Sequence, residues 1–483
     1  MRPCAHPAGD RSCRPRPTRA RPEALRLDFI ESLSPLAQEV LSILLVLVAI
    51  TFVLRRLPRT ELGHSNAFRA RRILNWLPLG LTYAFLYMGR YNINVAKVTG
   101  IMTKDELGTI TVIGTTTYAL AFLINGPLTD RFGGRKTILA AALGAAAANL
   151  GMGFVLHSGW EGSLVKPFGA LYALNMYFQS FGAVSIVKVN AHWFHVRERG
   201  TFGGIFGILI SLGLYFAYDW GTPIVENLET KWVFFIPTMI LLGFAVLDYF
   251  VVFDRPSDAG HADFDPGDAT IEASGERLSV LRIAGRMLSN PVILTIVLIE
   301  TCSGFVRGGI MKWGFVFAHE TGQTFLSHHW GAFLCISGIL GGVFAGTLSD
   351  RVFQSRRGPS AVLLYGLATV AIGGTAMVIT SPFAGFVLMF SILSVIGVHG
   401  MLSGTASMDF GGRKNAGVAV GIIDGMVYLG FGAQSILLGK ILPTGEAQTD
   451  PVNWRIWLLV VLPAAILGLL LSTRIWNAKP RSG

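Results

Sequence analysis

Leu81–Lys97 reads LTYAFLYMGRYNINVAK, and it lies in an apolar run long enough to cross a bilayer while holding Arg90 well inside that run. Tyr83, Tyr87, Arg90, Asn94 and Lys97 follow one another at spacings of four, three, four and three. That is the step of a single helical face, so a polar stripe runs down an otherwise greasy helix. An arginine at membrane depth costs at least about 2.5–3.5 kcal/mol on insertion scales, and it normally faces a bundle interior or a water-filled cavity. Its guanidinium stays charged and offers a planar fork of donors that fits phosphate or carboxylate. The stretch therefore points to an anion site inside a membrane protein. The competing reading is an arginine paired structurally to a neighbouring helix.

Composition agrees with a membrane setting. The 483 residues are 52% hydrophobic and only 14% charged, where a soluble chain would carry about 25% charged residues. Long apolar runs recur to the end, so the chain is polytopic. The formal charge of +11 is expected to sit in cytoplasmic loops rich in Lys and Arg rather than to bind nucleic acid. Cys4, Cys13, Cys302 and Cys335 have no metal-ligand spacing, and the latter two fall in apolar helices as free thiols. No P-loop, HExxH or GxSxG is present, so neither an energy-coupling ATPase nor an enzyme is indicated, and no cofactor or metal is expected.

Residues 1–72 form a basic N-terminal extension; its first 35 residues carry Arg2, Arg11, Arg14, Arg16, Arg19, Arg21 and Arg26 and read as a disordered arm. An apolar stretch at 36–54 is either an extra helix or upstream sequence included by a wrong start site. Basic residues on both of its flanks leave its orientation open. From Ile73 the pattern is regular, with spans near 74–96, 107–128, 137–157, 168–190, 201–219 and 232–253. A second set lies near 292–317, 329–348, 361–380, 383–404, 416–439 and 455–473. If residue 73 starts in the cytoplasm, Arg131, Arg135, Lys136, Arg197, Arg199, Arg351, Arg356, Arg357, Arg413 and Lys414 all fall in inner loops. The alternation predicts twelve core spans with both ends cytoplasmic. The domains read as a bundle at 73–253, a loop at 254–290 and a second bundle at 291–475. Asp263–Asp268, DFDPGD, lacks the spacing of a calcium loop, so the loop reads as a flexible linker.

Two features repeat at nearly one offset. GPLTDRFGGRK (Gly126–Lys136) and GTLSDRVFQSRRG (Gly346–Gly358) start 220 residues apart, and Arg90 and Arg307 are 217 apart. This marks an internal duplication of six-helix halves. Duplicated halves set the first and seventh helices across a central cavity, where two guanidiniums can share one dianion.

These residues resemble the major facilitator superfamily, and within it the organophosphate:phosphate antiporters, the group of glycerol-3-phosphate and hexose-phosphate transporters. The resemblance covers about residues 74–473. It is carried by YMGRYN (Tyr87–Asn92), NMYFQSFG (Asn175–Gly182), HWFHVRERG (His192–Gly200), FVRGGIMKW (Phe305–Trp313) and SDRVFQSRRG (Ser349–Gly358). It implies an all-α membrane protein of twelve helices in two pseudo-symmetric six-helix bundles that rock about a midplane site. Arg90 and Arg307 would grip phosphate, and Gly126, Asp130, Arg131, Gly346, Asp350 and Arg351 would act at the cytoplasmic gate. Tyr83, Tyr87, Asn94, Asp424 and Tyr428 complete the expected substrate contacts. The chain departs from the glycerol-3-phosphate pattern at Tyr91, Phe122 and Ile210, where that group has lysine, lysine and histidine. GIIDGMVYLG (Gly421–Gly430) looks more like sugar-phosphate exchangers and hexose-phosphate sensors.

The other buried charges have two readings each. Asp424 accepts from sugar hydroxyls, or pairs with Lys97 or Lys188. Glu300 holds Arg307 in the empty site or acts as a proton site or structural partner. Lys312 is expected to snorkel to a helix end, Lys97 to lie near the outer end, and Asn175 with Gln179 to glue helices together. The function expected is exchange of an organic phosphate for inorganic phosphate by alternating access. The alternatives are a hexose-phosphate sensor and a proton-coupled carrier of another organic anion. The expected setting is a bacterial cytoplasmic (inner) membrane. The expected partners are the two phosphates and the lipid bilayer, with no nucleic acid, and the working unit is a monomer.

Overall fold

The computed structural model describes residues 34–56, 63–195, 198–265, 285, 288–354, 356–381, 383–402 and 416–478. The basic arm, Cys4 and Cys13, Arg197, most of the 254–290 loop and the Arg413–Lys414 loop lie outside the described residues.

Thirteen long helices are described. They are α1 Pro35–Arg56, α2 Asn66–Val98, α3 Lys104–Phe132, α4 Gly134–His157, α5 Val165–Trp193, α6 Arg199–Tyr215 and α7 Trp232–Val251. The second half contributes α8 Pro291–Glu320, α9 Trp330–Thr347, α10 Arg357–Met377, α11 Ala384–His399, α12 Ala416–Ile441 and α13 Arg455–Arg474. α6 runs on through a π-turn, Phe216–Trp220, into Gly221–Asn227, and α9 runs on through Leu348–Val352. Twelve helices among the described residues are long and apolar enough to cross a membrane, and α1 is one of them. α2 is not, because the stripe that carries Arg90 dilutes its apolarity. At 33 residues it rises about 50 Å, and Asn75, Thr82, Arg90, Asn92, Asn94 and Lys97 along it are buried in the protein. It begins at Asn66, ahead of the expected span, where the Ser65 side chain accepts from Phe68 N–H at 3.2 Å and caps it.

α2–α7 pack as one bundle and α8–α13 as another. The duplication is visible in exposure: residues 126–132 and 346–352 repeat the same order of half-buried, exposed and buried positions. These loops sit at one end of the molecule, the loop end. At that end each bundle has its own apolar core, around Phe68, Leu79 and Trp193 in one and Ile293, Ala361 and Tyr365 in the other. Toward the opposite end the cores merge into one cluster that joins Leu107, Ile110 and Tyr118 to Val306, Ile310 and Leu438. The bundles are thus closed on each other at one end only.

Glycine builds that closure. Gly425, Gly432 and Gly439, seven residues apart on α12, meet Ala119, Thr115 and Lys104 of α3. A Cβ at Gly432 would lie 2.6 Å from Thr115 Oγ1, and one at Gly439 2.6 Å from the Lys104 carbonyl oxygen. Small residues let backbones approach this closely in a membrane, where packing rather than water exclusion drives association.

α1 lies across both bundles. Val46, Ala49 and Val53 cluster with Ile208 and Tyr215 of α6 and with Ala332, Cys335 and Ile339 of α9. Leu44, Leu45 and Val48 on its other face are exposed, as a lipid-facing surface would be. Glu39 is an electrostatic neighbour of Asp219, which sets the start of α1 at the closed end and Arg55–Arg56 at the loop end. Removing residues 1–56 is expected to uncover Cys335. N-ethylmaleimide labelling of Cys335 in detergent should rise at least tenfold over a full-length Cys4→Ser/Cys13→Ser chain. An unchanged rate would show that α1 does not cover this seam.

Candidate functional site

Arg90 is built in from both its backbone and its side chain. Asn175 and Asn149 donate to the Gly89 carbonyl at 2.9 and 3.2 Å, and Tyr172 Oη donates to the Arg90 carbonyl at 3.1 Å. Gln179 Nε2 donates to Asn175 Oδ1 at 2.9 Å, which turns Gln179 Oε1 toward Arg90 Nε at 2.7 Å. Asn175 and Gln179 thus do more than glue helices: they orient the guanidinium. Nη1 donates to Tyr428 Oη at 2.6 Å across the two bundles, and Nη2 to Tyr118 Oη at 3.3 Å. The rings of Tyr87 and Tyr118 stand 4.4 and 4.6 Å from Cζ. Every one of these partners is neutral. Among the described residues no carboxylate pairs with Arg90, which is only 2% exposed. A buried charge left this way costs several kcal/mol, so the arrangement favours an incoming anion.

Arg307 of α8 completes the pair. Its Nε is buried with no hydrogen-bond partner among the described residues. Tyr87, Tyr91 and Tyr428 are each electrostatic neighbours of both arginines, so one group of phenols serves both. Glu300, on the same face of α8, is an electrostatic neighbour of Arg307 and meets His399 Nδ1 of α11 with one carboxylate oxygen at 2.9 Å. Tyr428 accepts from Arg90, which leaves its own O–H to donate, and phosphate oxygens are acceptors. The site can therefore offer an anion two guanidinium forks and several phenol donors from both bundles.

The remaining expected contacts divide. Tyr83 packs edge-on against Tyr87, 5.3 Å between centroids. Asn94 Nδ2 donates to Tyr218 Oη at 2.9 Å, and that hydroxyl donates to the Met311 carbonyl of the other bundle. Asp424 is half-buried, one turn from Tyr428 toward the loop end. Its suggested partners are engaged elsewhere: Lys188 pairs with Asp130 at 2.7 Å and Lys97 with Glu320. Asp350 pairs with Arg357 at 3.0 Å, so both loop acids meet a cation of their own bundle. Arg131 and Arg351 are exposed, and a Cβ at Gly126 or Gly346 would meet nothing. The sequence reading missed Tyr118 and Tyr91 as linings of the site. A lone tyrosine on an apolar helix carries no signal of what it faces.

It also misplaced Lys312. Instead of snorkelling, this side chain is 1% exposed and donates to Thr111 Oγ1 at 2.6 Å and Ser435 Oγ at 3.0 Å. Nearby, Glu320 pairs one carboxylate oxygen with Lys97 and the other with Lys104, and so ties α8 to α2 and α3. Asp219 of α6 accepts from Gly331 and Ala332 N–H at 2.6 and 3.0 Å and caps α9 of the other bundle. Among the described residues, every hydrogen bond or ion pair between the bundles lies in the Arg90–Tyr428 layer or on the Lys97–Glu320 side of it. That is the latched end.

A sequence profile of the Major Facilitator Superfamily matches residues 79–435. The chain belongs to the Major Facilitator Superfamily. This facilitator is a multi-pass membrane protein, and it is similar over most of its length to three named relatives. The glycerol-3-phosphate transporter of Bacillus subtilis is 25% identical over 441 residues, which cover 86% of this chain and 95% of that one. The membrane sensor protein UhpC of Salmonella typhimurium is 25% identical, covering 87% and 94%. A probable hexose phosphate transport protein of Chlamydia pneumoniae is 24% identical, covering 86% and 94%. Solved structures share the fold. A bacterial homologue of the lysosomal transporter Spinster, in an inward-facing and occupied conformation, superposes with a TM-score of 0.65 at 13% identity, over 87% of this chain and 100% of that one. The nucleoside transporter NupG does so with 0.59 at 14%, over 85% and 100%.

Proposed function

We propose that this facilitator, working as a monomer in a bacterial inner membrane, exchanges an organic phosphate for inorganic phosphate, with Arg90 and Arg307 holding the phosphoryl group. The observation that carries the reading is the pair itself: two arginines at membrane depth, one held only by neutral groups and the other with an unpartnered Nε. The names of two of the relatives, the glycerol-3-phosphate transporter and the probable hexose phosphate transport protein, supply the phosphate ester. By the positive-inside rule the loop end faces the cytoplasm, so closure at the latched end corresponds to an inward-facing state. Rocking would break the latch and join the bundles around Asp130–Arg131 and Asp350–Arg351 instead. A gripping site must loosen in one state, and Tyr428, on the bundle opposite Arg90, moves with that change.

The test is uptake of labelled inorganic phosphate into phosphate-loaded proteoliposomes, with glucose 6-phosphate and glycerol 3-phosphate as competitors. Uptake should need internal phosphate and be blocked by one of the esters. Uptake driven by a proton gradient without internal phosphate would overturn exchange. A sensor of the same fold is the second reading, favoured by α1 lying on both bundles and by the likeness to UhpC. Binding of a sugar phosphate without exchange selects it.

A further inference from the structure

Lys312 differs from the other buried lysines of the latched end. Lys97 and Lys104 share the Glu320 carboxylate. Lys312 has no carboxylate partner among the described residues, and its ammonium is held by two hydroxyls and flanked by the rings of Trp313 and Phe431, at 5.6 and 5.8 Å. Burying an ammonium without an anion costs several kcal/mol even when its protons are hydrogen-bonded. Its two hydroxyls come from opposite bundles, Thr111 on α3 and Ser435 on α12, whose seam must part if the latched end opens.

Its position along the pathway follows from helical rise. Thr111 is seven residues from Tyr118, and Ser435 is seven from Tyr428. The Lys312 layer thus lies two turns, about 10.5 Å, toward the latched end from the Arg90–Tyr118–Tyr428 layer. On α8 itself Lys312 is five residues, a rise of about 7.5 Å, from Arg307. An anion moving inward from the latched end meets the lysine before either arginine.

We propose that Lys312 is a positioning residue that receives the phosphoryl group at the latched end and passes it to Arg307; this rests on the exchange reading above. With the seam open, Thr111 is withdrawn and the ammonium is free to bind phosphate oxygens. As the seam closes, Thr111 returns to the ammonium and takes the place of those oxygens, and the anion is left to the arginine pair. A lysine suits this step because its compact charge and rotatable donors hold phosphate without the two-point grip of a guanidinium.

The test compares the two faces of the full-length protein in oriented proteoliposomes. Glycerol 3-phosphate or glucose 6-phosphate, whichever the wild type exchanges, is offered at the latched face and inorganic phosphate at the loop face. Lys312→Gln should raise KM at the latched face about tenfold or more and flatten its salt dependence, with KM at the loop face unchanged. Lys312→Arg should restore the latched-face KM. Thr111→Val, which removes the displacing hydroxyl but no charge, should slow exchange several-fold while keeping the salt dependence of the latched-face KM, and it serves if the glutamine variant does not fold. Equal effects at both faces, no effect, or a Thr111→Val variant that exchanges at the wild-type rate or flattens the salt dependence as Lys312→Gln does overturns the assignment while wild-type exchange still stands. Absence of exchange by the wild type overturns the function and this assignment together.

Discussion

Arg307→Lys is expected to abolish exchange, by more than a hundredfold, in a protein that still folds. The guanidinium is the larger of the two cations and the only one that can hold two phosphate oxygens in a plane. Its loss should cost little in folding, because Arg307 Nε has no acceptor among the described residues to lose. Arg90→Lys should be as inactive but less stable. It forfeits the Gln179 contact and the bridges to Tyr118 and Tyr428, which lie on different bundles. Each hydrogen bond to a charged group is worth about 1.5–3 kcal/mol, so a fall in Tm should separate the two variants. Exchange of labelled phosphate and thermal unfolding in detergent measure both quantities. Near-normal exchange by either lysine variant would sink the proposed site.

Glu320→Gln is expected to shift the protein toward the state in which the latched end is open. One carboxylate is shared by Lys97 and Lys104, and all three side chains are under 10% exposed. Removing one member of a buried ion pair costs about 3–5 kcal/mol, and each 1.36 kcal/mol is a tenfold change in an equilibrium constant. The cost falls on the latched state alone, since opening returns both lysines to water. A shift of a hundredfold or more is therefore expected. Spin labels at Glu161→Cys and Ala447→Cys, exposed positions on the two bundles at this end, would report it as a longer distance in a background lacking the native cysteines. An unchanged distance distribution would mean that Asp219, the Thr111 and Ser435 hydroxyls on Lys312 and the glycine contacts of α3 with α12 hold the seam without the ions.

The helices and the repeat were legible in the sequence because their signals are local. Apolar runs of twenty or so residues, turn residues between them, and charges in alternate loops are read within windows of a few tens of residues. Arg90 and Arg307 were legible for the same reason: a charge inside an apolar run is anomalous wherever it occurs, and its recurrence 217 residues later is plain on inspection. α2 is instructive here. Its polar stripe marked it as central, and the same stripe keeps it out of the set of apolar spans.

Partners were another matter. The sequence leaves Asp424 open to sugar hydroxyls or to Lys97 or Lys188, and Glu300 open to Arg307, a proton or a structural partner; it puts Lys312 at a helix end and gives no sign of what Glu320 joins. Each of these turns on which helices abut, and at what depth. Arg90 and Tyr428 are 338 residues apart, Lys97 and Glu320 223, and Lys312 and Thr111 201. Helical period fixes a side chain's face to within a quarter turn but says nothing of the helix opposite. The sequence by itself therefore determined the spans, the doubling of the bundle and the two arginine-bearing helices. Only the tertiary structure decided which polar groups meet, that the bundles close at one end, and that α1 lies over their seam, because those contacts arise from packing between segments whose local patterns carry no record of one another.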